Sequence, residues 1–301
     1  MPIPSELVTV SPGHRLAVRR AGHGGVPLLL VHGFPCTSLI WSRNIEPLAE
    51  AGFDVVAADL RGYGESDFAP DGCYDPAAFS ADLTGLLDAF GWRETVVAGH
   101  DLGAVVAIDL ANRHPQRVSR LVLFNHPPPS LPEDYANAGI PATAPNPAVF
   151  GYVTRQGAHA HELVAELDTP DRRHRYIAEF YGHRLWCPPG AFTAADLAEL
   201  IEPYTNVDRL RASFADYEVV LGRRPASAPD LHDRQVQQPV LVLIGPDDVT
   251  LADHLARRCA VAYPHVVGPY LVPDAGHYLQ WEQPRMANQT IRWFCGDLLV
   301  R

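Results

Sequence analysis

Thr95-Val-Val-Ala-Gly-His-Asp-Leu-Gly-Ala104 is the stretch on which the reading of the fold turns. A β-type run passes into Gly99-His-Asp-Leu-Gly103 and then directly into a helical pattern, Ala104–Asn112. Strand, tight turn and helix in that order need small residues where the backbone doubles back, and here the glycines flank a single apex residue, Asp101. A carboxylate held at such an apex can attack an electrophilic carbon and form a covalent alkyl ester. An acidic residue capping a helix is the competing reading, but it leaves the paired glycines and the preceding strand unexplained.

Working outward, strand-sized apolar runs recur at Val26–Val31, Asp54–Ala58, Arg120–Phe124, Val240–Ile244 and Tyr270–Val272. Such runs read as strands buried on both faces. Between them lie helical patterns: Asp75–Pro76 supplies a cap and a first helical residue, and Phe79, Leu83, Leu86, Leu87 and Phe90 follow at helical spacing to Gly91. Strands alternating with helices predict right-handed crossovers and a mostly parallel sheet. Leu7–Val10 and Arg15–Arg19 are expected to form an antiparallel edge, and a closing helix is expected from Trp281 to Leu299. From Pro127 to Asp230 the strand rhythm stops. That stretch, rich in proline and alanine, predicts an inserted helical lid over residues 127–230, with a core of 1–126 and 231–301.

A nucleophile needs a base. Pro273-Asp-Ala-Gly-His277 places a histidine on a loop at a strand's carboxyl end, where open α/β sheets bind ligands. Neutral imidazole can deprotonate water near pH 7, which carboxylates do poorly. Gly245-Pro-Asp-Asp248 ends the preceding strand with two adjacent carboxylates to orient that imidazole. Successive residues point apart, so one of them reaches His277; Asp248 is favoured and Asp247 stays open. A further strand ends in His32-Gly-Phe-Pro35. The backbone amides of Phe34 and Leu102 are candidates for an oxyanion hole, with His32 locking the loop. Asn125 is expected to pack, with orientation of the water or acid as its alternative.

These motifs, with Gly276-His-Tyr-Leu-Gln-Trp-Glu-Gln-Pro284, resemble the α/β-hydrolase fold over nearly the whole chain, in its epoxide hydrolase and dehalogenase branch. The resemblance implies an eight-stranded, mostly parallel sheet flanked by helices, with an inserted lid and an Asp101–His277–Asp248 triad. It also implies two lid tyrosines that hydrogen-bond an epoxide oxygen, matched here by Tyr152 and Tyr217, with Tyr135, Tyr176, Tyr181 and Tyr204 competing. Phe214-Ala-Asp-Tyr-Glu218 is similar to haloacetate dehalogenases. Their arginines beside the nucleophile, however, are Leu102 and Val105 here. Haloalkane dehalogenases usually carry tryptophan after the nucleophile and asparagine at the place of Phe34. Leu102 also departs from the tryptophan common in epoxide hydrolases. The expectation is therefore an epoxide hydrolase acting on a neutral, largely apolar small molecule, with Trp186, Leu185, Val249 and Tyr278 lining the pocket. The alternatives are a dehalogenase with the same triad, an aspartate-dependent esterase, or an idle ligand-binding relative.

Bulk composition narrows the partners. Thirty-five carboxylates against 24 cations give a charge of −11, and every cation is arginine. An acidic chain without a basic block is a poor match for nucleic acid or anionic membrane, and lysine chemistry is excluded. No apolar run reaches membrane-spanning length, and the start shows no signal-peptide pattern. Five scattered cysteines without CxxC spacing argue against a disulfide framework or metal site and suit a reduced cytoplasm. No cofactor is expected. The oligomeric state is left open, a homodimer included.

Overall fold

A computed structural model describes residues 3–142, 147–185, 187–248 and 254–300. Eight strands form one sheet: β1 Glu6–Ser11, β2 His14–Ala21, β3 Val26–Val31, β4 Phe53–Ala58, β5 Thr95–His100, β6 Val118–Phe124, β7 Val240–Ile244 and β8 Val266–Leu271. Their order is β1-β2-β4-β3-β5-β6-β7-β8. β1 and β2 pair antiparallel, β2 meets β4 antiparallel, and every later pairing is parallel. The strand reading therefore carries over, including the antiparallel edge. β4 and β5 are buried along their whole lengths, as their unbroken apolar runs require.

The chain leaves β3 toward one side of the sheet and returns to β5 on the other. That places a topological switch point between β3 and β5, at whose carboxyl ends ligands of open α/β sheets bind. Helices pack beside the sheet, among them Pro76–Ala89, capped by the Asp75 side chain accepting from the Ala78 amide, and Leu102–Arg113 directly after β5. Between β6 and β7 the described residues form helices and no strand, from Pro132–Asn137 to Ala215–Val220. This helical layer reaches the sheet through Phe34, whose ring meets those of Tyr152, Phe180, Tyr204, Phe214 and Tyr217 at centroid distances of 5.0–6.5 Å.

Two elements differ from expectation. β8 begins at Val266, four residues before the expected Tyr270, and it is not buried on both faces: Tyr270 and Leu271 are 46% and 65% exposed. It is the outermost strand, so it has a neighbour on one side only. Gly268 and Pro269 interrupt its apolar pattern, and a proline without an N–H is tolerated at such an edge. The C-terminal helix is three helices, Leu279–Glu282, Pro284–Phe294 and Gly296–Leu299. Pro284 cannot donate to a preceding turn and starts the second one instead.

A buried ionic cluster fixes the loop after β4. Arg61 donates to both Asp82 oxygens at 2.6 Å, and to Asp71 and the Cys73 carbonyl. The same loop carries Asp59, which accepts the amides of Ser38 and Glu65 and so ties down the chain that follows Phe34. Arg61→Met is expected to lower the unfolding free energy by about 3–5 kcal/mol, because Asp82 is left charged and buried without its main partner. Arg172→Ala opens an exposed pair with Asp168 and an exposed hydrogen bond to the Glu166 carbonyl and should leave the urea midpoint unchanged within error. Equal shifts for the two variants would contradict this reading.

Candidate active site

The oxyanion amide of Phe34, the triad residues and Asn125 all lie beyond the carboxyl ends of parallel strands. Phe34 follows β3, Asp101 follows β5, Asn125 follows β6, Asp248 follows β7 and His277 follows β8.

Asp101 occupies a tight turn with φ 55° and ψ −123°, a region that costs a non-glycine residue about 1–3 kcal/mol. The turn exists because its neighbours lack side chains. A Cβ on Gly103 would fall 2.3 Å from the Val31 carbonyl oxygen, and one on Gly33 would fall 2.4 Å from the Asp101 carboxylate. Asp101 Oδ1 accepts the Phe34 amide at 3.0 Å, and the Leu102 amide also donates to this carboxylate. The two amides named from sequence therefore converge on one carboxylate. Burial raises the Asp101 carboxyl above its ordinary range, opposed by His277 and by those two amides. Its side chain is still 19% exposed, so it is reachable.

His277 is fully buried. Its Nδ1 donates to Asp248 Oδ2 at 2.9 Å, and its Nε2 lies 3.7 Å from Asp101 Oδ2, beyond hydrogen-bond range. Nε2 is buried with no hydrogen-bond partner among the described residues. Burial alone would lower this imidazole, but Asp248, Asp101 and Glu282 outweigh it and raise it above 6.5. Asp248 is the carboxylate that reaches it; Asp247 is exposed and bonds the Ala275 carbonyl through its own amide.

Asn125 does more than pack. Its Nδ2 donates to Asp248 Oδ2 at 2.7 Å and to the Gly276 carbonyl at 2.9 Å, while its Oδ1 accepts the Gly245 amide. One side chain thereby ties the acid to the histidine loop. His32 is a loop lock, as expected: it donates to the Gly33 carbonyl and accepts the Leu60 amide.

Opposite Asp101, Tyr152 and Tyr217 are both buried, with rings 5.8 Å apart, and each meets Phe34. Burial raises both phenols well above 10, and Asp101 is close enough to raise them further. They are neutral donors at any working pH. Of their competitors, Tyr135 bonds the Pro129 carbonyl, Tyr176 pairs with Gln156, and Tyr181 bonds the Pro35 carbonyl. Tyr204 packs on Phe34 with a buried hydroxyl. Tyr278 is a buried wall, its ring against His277 and its hydroxyl bonded to the Phe180 carbonyl. Leu185 is fully buried in the core. Trp186 and Val249 lie outside the described residues. Asp216, which sequence reasoning passed over, is buried next to Tyr217 in sequence, and burial followed by the charge of Asp101 pushes its carboxyl up to about 7.

A family model described as alpha/beta hydrolase fold matches residues 26–284. The chain is 31% identical to epoxide hydrolase A of Mycobacterium tuberculosis (strain ATCC 25618 / H37Rv), covering 100% of both. It is 28% identical to the AB hydrolase superfamily protein YfhM of Bacillus subtilis (strain 168), over 93% of each. The solved epoxide hydrolase CorEH without ligand matches with a TM-score of 0.83 at 24% identity, over 98% of this chain and 99% of that one, a likeness of fold. The chain belongs to the α/β-hydrolase family. Within it, the chain falls in the branch that contains the epoxide hydrolases, and it is a hydrolase. No helix of the described residues is long and apolar enough to cross a membrane.

The raised His277 has a consequence for stability. Its protonated form is favoured in the folded state, so this contribution is complete below pH 6.5 and is lost as pH rises through the higher folded value. The gap in urea midpoint between wild type and His277→Gln should therefore narrow with rising pH above 6.5. A gap that widens over that range would overturn the assigned direction.

Proposed function

We propose that the chain is an epoxide hydrolase, converting a neutral, largely apolar epoxide to a diol through an ester on Asp101. Residues 127–230 serve as its lid, over a core of 1–126 and 231–301. The observation that carries this reading is the split environment of the Asp101 carboxylate: Oδ1 accepts the Phe34 amide, Oδ2 faces His277, and a pair of neutral phenols stands opposite.

Oδ2 attacks a ring carbon, the C–O bond of the ring breaks, and Tyr152 or Tyr217 gives a proton to the released oxygen. A strained ring supplies driving force, but its developing alkoxide needs a donor in a site without bulk water, and a phenol is suited to that. Esterification removes the negative charge of Asp101, one of the charges holding a proton on His277. The imidazole then becomes a base and takes a proton from water, and the hydroxide adds to the ester carbonyl carbon. Oδ1, on the Phe34 amide and with the Leu102 amide also donating to this carboxyl, bears the oxyanion. Collapse breaks the bond to the alkyl oxygen, which takes the proton from His277, and the diol leaves. The carboxyl proton left on Asp101 balances the one the tyrosine gave.

The lack of a cation at Leu102 and Val105 favours a neutral substrate over a haloacid, whose carboxylate needs a partner. Asp101→Asn should abolish diol formation from styrene oxide, and His277→Gln should accumulate a protein heavier by the mass of one epoxide. In a single turnover in labelled water, the label should enter Asp101 before it enters diol. Tyr152→Phe combined with Tyr217→Phe should slow ring opening on the order of 10²- to 10⁴-fold, the usual worth of a positioned acid. Halide release from haloacetate without diol from any epoxide would sink the proposal.

A further inference from the structure

The motif that follows His277 contains one acid that the catalytic steps leave unused. Glu282 lies at the end of the helix Leu279–Glu282, which folds its side chain back over the loop that carries the histidine. Its Oε2 accepts the Gly276 amide and its Oε1 accepts the Tyr278 amide at 2.8 Å. These are the two peptide N–H groups on either side of His277. Two amides donating to two oxygens match an ionised carboxylate, which only accepts. The other faces of the same loop are also held: Asn125 donates to the Gly276 carbonyl, and His100 Nε2 donates to the His277 carbonyl at 2.8 Å. Gln283 donates to the Asp274 carbonyl. Of these groups, Glu282 is the one carboxylate; burial raises its carboxyl, and the Gly276 and Tyr278 amides together with His277 act to keep it ionised.

We propose that Glu282 is a positioning residue for His277: by clamping the amides of Gly276 and Tyr278 it fixes where Nε2 stands relative to the Asp101 ester, and its charge sets when that nitrogen is free to act as a base. The proposal rests on His277 as the water-activating base. The charged and titratable groups around that imidazole are Asp248 and Asp101 on its two nitrogens, Glu282 behind its backbone, and the neutral rings of His100 and Tyr278 against its face. Burial drives His100 well below its usual range, so it adds no charge near neutral pH. Glu282 raises His277 in the same sense as Asp248. Removing its charge therefore lets the imidazole lose its proton at lower pH.

The test uses the full chain and styrene oxide. Ester formation and ester hydrolysis are read separately by rapid quench and intact mass, and the His277 ring is titrated by NMR without substrate. In Glu282→Gln, ester formation should keep its rate. The hydrolysis plateau should fall on the order of 10- to 100-fold, the scale of a small misplacement of a catalytic group. The acid limb of hydrolysis and the NMR midpoint of His277 should both move to lower pH. Glu282→Asp keeps the charge on a shorter arm, so its midpoint should stay near that of wild type while its hydrolysis remains slow. A purely structural brace would lower thermal stability, slow both steps alike and leave the midpoint in place, and that result overturns the proposal. If Glu282→Gln does not fold, Glu282→Asp decides: hydrolysis slowed more than ester formation supports the clamp, and equal slowing or none rejects it. If wild type forms no ester, the epoxide reading fails, while the NMR midpoint in Glu282→Gln still decides whether Glu282 tunes the histidine.

Discussion

The 2.9 Å hydrogen bond from His277 Nδ1 to Asp248 Oδ2 is the constraint on which the arrangement of the site depends. It joins the carboxyl ends of β7 and β8, and it can form only if both loops leave the sheet at a fixed height. Asn125 supplies that height, since its one side chain bonds Asp248, the Gly276 carbonyl and the Gly245 amide together. With Nδ1 committed, Nε2 is turned toward Asp101, and the tautomer and ring orientation follow from the bond on the opposite side. The geometry around Asp101 comes from a second, independent source, the close backbone approach permitted at Gly33 and Gly103. Two rigid loops thus meet across the sheet without sharing any residue.

Burial sorts the histidines of the core into two kinds. His32 and His100 are desolvated with at most a distant charge to compensate, so burial lowers both and each acts as a neutral hydrogen-bonding spacer. His277 is equally buried, but carboxylates surround it and outweigh the same desolvation. The difference lies in the neighbours, since the imidazole is the same. In the proposed reaction the base must be neutral for one step and protonated for the next, which needs a neighbour whose charge changes, and an aspartate that becomes an ester would be such a neighbour.

Much of this was legible in the sequence because the physics there is local. The elbow at Asp101 is written in two glycines, Gly99 and Gly103, that bracket it within one short stretch after a strand, and the buried strands are written in unbroken apolar runs. Alternation indicated only that one of Asp247 and Asp248 reaches His277, with Asp248 favoured and Asp247 open, and it is Asp248 that makes the bond. Asn125 was harder to read: an asparagine after a strand looks the same whether it packs or bridges two loops, and its partners lie 120 and more residues away. Glu282 was quoted within a motif without a task for a similar reason, because its use depends on a helix reversing the chain. β8 misled because exposure at a sheet edge leaves no mark on an apolar run such as Tyr270-Leu-Val272. The residues of the helical layer were legible only through resemblance, since tyrosines at helical spacing do not reveal which hydroxyls find partners elsewhere.

Phe34 links the two halves of this account. Its amide binds Asp101 Oδ1, while its ring is the surface on which Tyr152, Phe180, Tyr204, Phe214 and Tyr217 from the helical layer gather. The backbone and side chain of one residue therefore set the distance between the carboxylate and the phenols opposite it. Phe34 also presents an apolar ring rather than a polar side chain beside Asp101. Donors that can protonate an oxygen are gathered over the carboxylate, and no cation stands at Leu102 or Val105 beside it. Under the proposed function, a neutral oxygen electrophile is the substrate chemistry that combination would serve.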